Sequence, residues 1–227
     1  MLRLWTSRSC TIMKLSLEAS PSNPPIPNYQ FPSARLAVIV GTKGRGSNML
    51  ALVEAGRHGK MPASVELVYG SNPEAPALSA ARETGVPVAS FSDRETDFDA
   101  LLIGLLRGYE IDLVCLAGYL RLLPPHVLHA YRNRVLNIHP ALLPKFGGKG
   151  MFGHHVHEAV LAAGESESGC SVHYVTDAYD EGAVIHQLRC PVMPDDTPDS
   201  LAARVLALEH RAYPEAVGMV LAGLTSE

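Results

Sequence analysis

Asn137 and His139 stand two residues apart at the end of the apolar run Val135-Leu136-Asn137-Ile138. In an extended chain that spacing puts both side chains on one face. An amide donor beside an imidazole suits stabilisation of a developing oxyanion together with proton transfer. The same pair also reads as a core Asn and His satisfied by hydrogen bonds, because buried polar groups generally find partners. Asp180 opens the turn signal Asp180-Glu181-Gly182 further along the chain. A carboxylate near His139 would orient the imidazole and raise its pKa. Taken alone, a turn aspartate is better explained by bonding to its own backbone.

A third feature is Gly41-Thr42-Lys43-Gly44-Arg45-Gly46-Ser47-Asn48, directly after the apolar run Leu36 to Val40 and opening a helical stretch. Glycines let a ligand approach the backbone, and the free amides and positive dipole of a helix start favour a phosphate. A plain tight turn with helix capping explains Ser47 and Asn48 as well. The loop lacks the Gly-Lys-Ser/Thr ending of a P-loop. It is also a poor dinucleotide fingerprint, since Gly70-Ser71-Asn72 stands where an acid would meet the ribose. His154, His155 and His157 form a tempting cluster, which His139 and His173 are capable of joining. No carboxylate and cysteine set nearby completes a ligand shell, so no metal is expected.

These residues need elements to hold them. From Arg35 the chain alternates strand and helix. Leu36 to Val40, Val65 to Tyr69, Val86 to Val88, Leu113 to Ala117 and Val135 to Ile138 read as strands. Pro87 puts the third at an edge. Ser47 to Arg57, Pro76 to Thr84 and Phe98 to Gly108 read as helices. That order predicts an α/β fold with a doubly wound, mostly parallel sheet, whose ligands bind outside the carboxyl ends of the strands. After Pro140 comes a Gly-rich loop, Phe146 to Gly153, then a helix from Val156 to Ala163. Two strands follow, Cys170 to Thr176 and Ala183 to Met193. A long helix opens at Asp196-Thr197-Pro198 and runs through Leu221, with a kink expected at Pro214.

The 227 residues, 47% hydrophobic and 19% charged with a formal net charge of −4, suit one globular domain in two halves. No stretch approaches the ~20 apolar residues of a membrane span. The mild acidity gives no footprint for nucleic acid. Cys10, Cys115, Cys170 and Cys190 have no zinc or redox spacing and read as free thiols of a reducing compartment. Residues 1–34 hold Arg3, Arg8 and Lys14 against one acid, Glu18, and end in a Pro/Ser/Asn stretch. They read as a transit peptide, a disordered tail, or a misjudged start with Met13 as the first residue.

Asn137-Ile138-His139-Pro140-Ala141-Leu142-Leu143-Pro144 closely resembles the Asn-Ile-His-Pro-Ser-Leu-Leu-Pro signature of folate-dependent formyltransferases of the glycinamide ribonucleotide transformylase type. The resemblance covers nearly everything from Leu36 to Leu221. Gly46-Ser47-Asn48 resembles the family's phosphate loop, and Leu116 to Leu123 its folate-site strand and turn. Ser171 to Asp177 with Asp180 resembles its catalytic loop, and Glu209-His210 with Tyr213-Pro214 its final helix. The chain departs from the pattern at the inserted Thr42 and Lys43, at Ala141 for Ser, at Glu181 for Gly, and in a longer Gly147-Gly148-Lys149-Gly150 loop.

The resemblance implies formyl transfer from 10-formyltetrahydrofolate, as co-substrate, to the amine of 5-phosphoribosyl-glycinamide in purine biosynthesis, without a metal. It implies Asn137, His139 and Asp180 as catalytic residues, with Asp180 holding His139 in its charged form. Gly46, Ser47, Asn48, Gly118, Pro140 and Glu209 would bind the ribonucleotide. Arg94, Leu120, Arg121, Leu122, Leu123, Leu128, Asn137, Val175, Asp177 and Asp180 would bind the folate. Residues 35–227 would form the formyltransferase domain, with 35–135 the ribonucleotide half and 136–227 the catalytic and folate half. The expected partners are small molecules only, with no nucleic acid or membrane, for a monomer or homodimer. The expected place is the cytoplasm, or an organelle stroma or matrix if residues 1–34 are a transit peptide. A tRNA formyltransferase would carry a further C-terminal RNA-binding domain. A formyltetrahydrofolate hydrolase would carry an N-terminal regulatory domain and need no phosphate site. A nonenzymatic nucleotide-binding protein would not need the Asn137, His139 and Asp180 trio.

Overall fold

The computed structural model describes residues 34–224. The readings of residues 1–34 therefore lie outside the described residues, except that Ala34 already begins the first strand. The elements are β1 (Ala34–Val40), α1 (Ser47–Arg57), β2 (Ala63–Gly70), α2 (Pro76–Glu83), β3 (Val88–Ala89), α3 (Phe98–Gly108), β4 (Leu113–Ala117) and α4 (Pro125–Ala130). They continue as β5 (Val135–His139), α5 (His154–Ala162), β6 (Glu167–Tyr174), β7 (Val184–Pro191) and α6 (Pro198–Leu224). Among the described residues no helix is long and apolar enough to cross a membrane.

The strands form one sheet in the order β3-β2-β1-β4-β5-β6-β7. The first five are parallel, while β6 and β7 run antiparallel. Alternation along β1 explains the layering. Leu36, Val38 and Val40 face one core cluster, with residues of α1, α2 and α6. Ala37 and Ile39 face the other, with Phe98, Leu102, Leu106 and Val127 of α3 and α4. Both faces of the strand are thus covered, as its unbroken apolar run requires. Truncating the fully buried Leu36 to Ala would cost about 2–5 kcal/mol.

Pro87 confines β3 to two residues at the sheet edge, because it has no N–H to donate. Its carbonyl still accepts from the Val68 N–H at 2.9 Å. The six-residue α4, absent from the sequence reading, starts on Pro125 and buries only Val127, too short for a periodic pattern. Strand β6 begins three residues before the expected Cys170, at Glu167, because Ser168 and Gly169 pair with Cys190 and Arg189. Gly169 is required there: a Cβ would stand 2.0 Å from the Leu188 carbonyl oxygen. Helix α6 is continuous through Pro214. Next to that proline, the fully buried Tyr213 directs its hydroxyl at the carbonyls of Leu116 (2.9 Å) in β4 and Leu136 (3.1 Å) in β5.

Candidate active site

The strand order reverses between β1 and β4, which opens a crevice at their carboxyl ends. Glycine closes its floor. A Cβ on Gly41 would sit 2.0 Å from the carbonyl oxygen of Gly118, which itself has φ 73°. Beside this contact lies a cavity of about 580 Å³, within the range of small-molecule sites. One part of its wall is apolar, with Leu120, Leu122, Phe152 and Val175. Another carries Asn48 and Glu209. Asn137, His139, His173 and Asp180 also line it.

The register explains this meeting. Asn137 pairs with His173 and His139 with Ser171 across the antiparallel β5–β6 ladder. Asn137 Nδ2 lies 3.1 Å from His173 Nε2 and 3.5 Å from Asp180 Oδ1. His173 Nδ1 lies 2.9 Å from the Tyr174 carbonyl, which only accepts. Nδ1 therefore donates to that carbonyl, and Nε2 faces both the Asn137 amide and Asp180. Ser171 fixes the segment that follows His139: its hydroxyl donates to the Ala141 carbonyl at 2.6 Å and receives the Leu143 N–H at 3.0 Å. Asp180 reaches the group from a left-handed backbone turn with φ 57°. Its Oδ2 receives the Gly148 N–H at 2.9 Å and lies 3.5 Å from His139 Nδ1, and its Oδ1 lies 3.5 Å from His173 Nε2.

His139 is 3% exposed. Its Nε2 donates to the Phe146 carbonyl at 2.8 Å, because a carbonyl has no proton to give. In the neutral ring, Nδ1 is then an acceptor facing a carboxylate. Burial pulls the His139 pKa down, and Asp180 and the Phe146 carbonyl lift it less than burial lowers it. The sequence-based expectation that Asp180 raises His139 above its ordinary value is thus corrected: Asp180 acts in that direction, but desolvation is larger. Burial would raise Asp180, yet His173, His139 and the Gly148 N–H together hold it below the usual carboxylate range. The resting pair is a neutral imidazole beside an ionised carboxylate. Burial pushes Glu209 up to about 6, opposed by the 2.6 Å hydrogen bond from Asn48 Nδ2.

Of the residues expected to bind substrates, Asn48, Gly118, Leu120, Arg121, Leu122, Asn137, Pro140, Val175, Asp180 and Glu209 line this cavity. Gly46, with φ 81°, and Ser47 stand at the start of α1, next to Asn48 but outside the wall. Leu123 and Leu128 pack in the core with α3 and α4, and Arg94 and Asp177 also lie off the wall. His173 was named in the sequence only with the histidine cluster and within the segment resembling the catalytic loop, and its contact with Asn137 was not expected. Its signal was available: Ser171 and His173 share the two-residue spacing of Asn137 and His139. The clustered histidines have separate surroundings. His154 pairs with Asp199, His155 with Glu158, and His157 is buried. Cys115, Cys170 and Cys190 are free and buried, while Cys10 lies outside the described residues.

The formyl transferase family pattern matches residues 34–217. The chain is 37% identical over 219 residues to the chloroplastic phosphoribosylglycinamide formyltransferase of Vigna unguiculata, covering 95% of this chain and 69% of that protein. It is 39% identical over 181 residues to the phosphoribosylglycinamide formyltransferase of Escherichia coli, covering 78% of this chain and 83% of that protein. The crystal structure of glycinamide ribonucleotide transformylase 1 from Symbiobacterium toebii superposes with a TM-score of 0.76 at 38% identity, covering 88% of this chain and 94% of that one.

Proposed function

The chain belongs to the formyl transferase family, and we propose that it moves the formyl group of 10-formyltetrahydrofolate onto the primary amine of 5-phosphoribosyl-glycinamide, a step of purine biosynthesis. The observation that carries this reading is the meeting of Asn137, His139 and Asp180 in one cavity between an apolar wall and the polar Asn48–Glu209 wall. A flat pterin suits the first and a hydroxylated, phosphorylated ligand the second. Relatives named for this activity support it.

In the proposed reaction the amine lone pair attacks the formyl carbon, and the carbonyl pair moves onto oxygen. Asn137 is the donor for that oxyanion, since its bond towards Asp180 is long at 3.5 Å and readily exchanged. His139 Nδ1 and Asp180 Oδ2 are two acceptors facing each other. An amine N–H presented to Nδ1 from the cavity side, beside Oδ2, supplies the missing proton. As the C–N bond forms, His139 takes that proton, and Asp180 stabilises the resulting imidazolium. Collapse of the tetrahedral adduct expels the folate nitrogen with its electron pair, and the proton passes to it. The products are tetrahydrofolate and the N-formylated ribonucleotide. A depressed imidazole pKa suits this role, because the base must be neutral when the amine arrives. Holding amine and formyl group in contact supplies much of the rate.

The test is the donor incubated with the protein, with and without the ribonucleotide. Tetrahydrofolate formed only with the ribonucleotide, in step with the formylated product, is expected. Release of formate at the same rate without it would make the protein a hydrolase and refute the proposal.

A further inference from the structure

We propose that His157, together with the start of α5, supplies a second set of donors for the phosphate of the ribonucleotide, facing α1 across the cavity. This rests on the formyl-transfer reading above. Helix α6 packs against both α1 and α5 and contributes Ala202, Leu206 and Glu209 to the cavity wall. Asn48, near the start of α1, and Gly153, His154 and His157, at the start of α5, lie on the same wall. Two helix N-termini thus meet one cavity. Each is capped by a glycine, Gly46 and Gly153, with no side-chain cap bond and no acidic residue in the first turn. Their amide N–H groups and dipoles favour an anion.

His157 points to that ligand independently. It is 4% exposed, and its Nδ1 is buried without a hydrogen-bond partner among the described residues. Its Nε2 has no hydrogen-bond partner among the described residues either, and the residue lines the cavity. A proton on Nδ1 would be a buried N–H with no acceptor, whereas a proton on Nε2 meets solvent or ligand. The neutral ring therefore presents Nε2–H to the cavity. His154, one turn earlier, is held by Asp199 at 3.2 Å, so His157 is the imidazole left free for a ligand. Lys149 lines the same wall and has no ion pair among the described residues. A phosphate dianion has more acceptor sites than one helix start satisfies. A neutral N–H and a second helix start meet that surplus.

The test uses the full chain, with His157→Phe, which keeps bulk but removes the donor, and His157→Gln, whose amide nitrogen reaches the place of Nε2. Ribose 5-phosphate is titrated by calorimetry, and the KM values of both substrates are measured. The expected result is an affinity loss of about 10- to 100-fold for His157→Phe, as for a hydrogen bond to a charged group. His157→Gln should stay within about threefold of the parent, since it restores the donor, and the folate KM should not move. Unchanged ribose 5-phosphate affinity in His157→Phe, equal losses in both variants, or a loss confined to the folate would overturn the role of His157 alone. A parent protein that binds no ribose 5-phosphate would instead remove the formyl-transfer premise, and this proposal with it.

Discussion

Glu209, proposed to bind the ribonucleotide, lines the cavity at a cost to the fold, and Glu209→Gln makes that cost measurable. The side chain is 7% exposed, and burial lifts its pKa from 4.5 to about 6 despite the hydrogen bond from Asn48. Between those values the folded chain keeps a proton that the unfolded chain has lost. Ionising Glu209 therefore destabilises the fold progressively as pH rises through this window, and the loss is complete above it. The gap corresponds to about 2 kcal/mol. Glutamine cannot ionise, and its Oε1 still accepts from Asn48 Nδ2. At pH 8 the variant should be more stable by about 2 kcal/mol, or about 4–8 °C in Tm for a domain of this size. At pH 4 the two proteins should melt together. The variant should also raise the ribonucleotide KM by about tenfold, because a ligand hydroxyl loses a charged acceptor. Melting curves at both pH values check the first part and steady-state kinetics the second. A variant less stable than the parent at pH 8, or a Tm difference independent of pH, would refute the reasoning.

Ser47→Asp puts a negative charge at the start of α1, so it should raise the ribonucleotide KM strongly and leave folate affinity nearly unchanged; a fall in folate affinity would show the phosphate to lie elsewhere. Because burial lowers the His139 pKa, the acid limb of kcat/KM should fall below pH 6.5, with activity lost as pH drops through that depressed value; activity lost instead as pH rises through the His139 value would mean that the protonated ring is the active form. A bound folate analogue should lay its ring against Leu120, Leu122 and Val175, and a ring seated elsewhere in a solved complex would exclude that wall as the pterin site.

The first half of the fold was legible because β1 and β4 are apolar runs that end at a glycine, and α3 and β4 match their expected limits. The later elements were blurred where side chains do not report the backbone. His154 and His155 begin α5 although neither is buried, and Ser168 and Gly169 belong to β6 although neither is a large apolar residue. The meeting of Asn137, His139 and Asp180 was expected from strand spacing together with the resemblance to the family signature, since the turn alone favoured an ordinary backbone role for Asp180. His173 was not singled out, because its place depends on the antiparallel register that sets it opposite Asn137. The direction of the His139 shift was also beyond the sequence. It is a contest between the depth of burial and a carboxylate at 3.5 Å, and only coordinates set those two quantities.

The central claim is that His139 and Asp180 accept the proton of the attacking amine as one unit. The direct measurement is a mutant cycle on kcat/KM with His139→Ala, Asp180→Asn and the double variant, at several pH values. Residues sharing one function give losses that do not add. The double variant is predicted to lose little more activity than the worse single variant, with kcat carrying the loss and both KM values nearly unchanged. Losses that multiply across the cycle would contradict the account, because Asp180 would then act apart from His139.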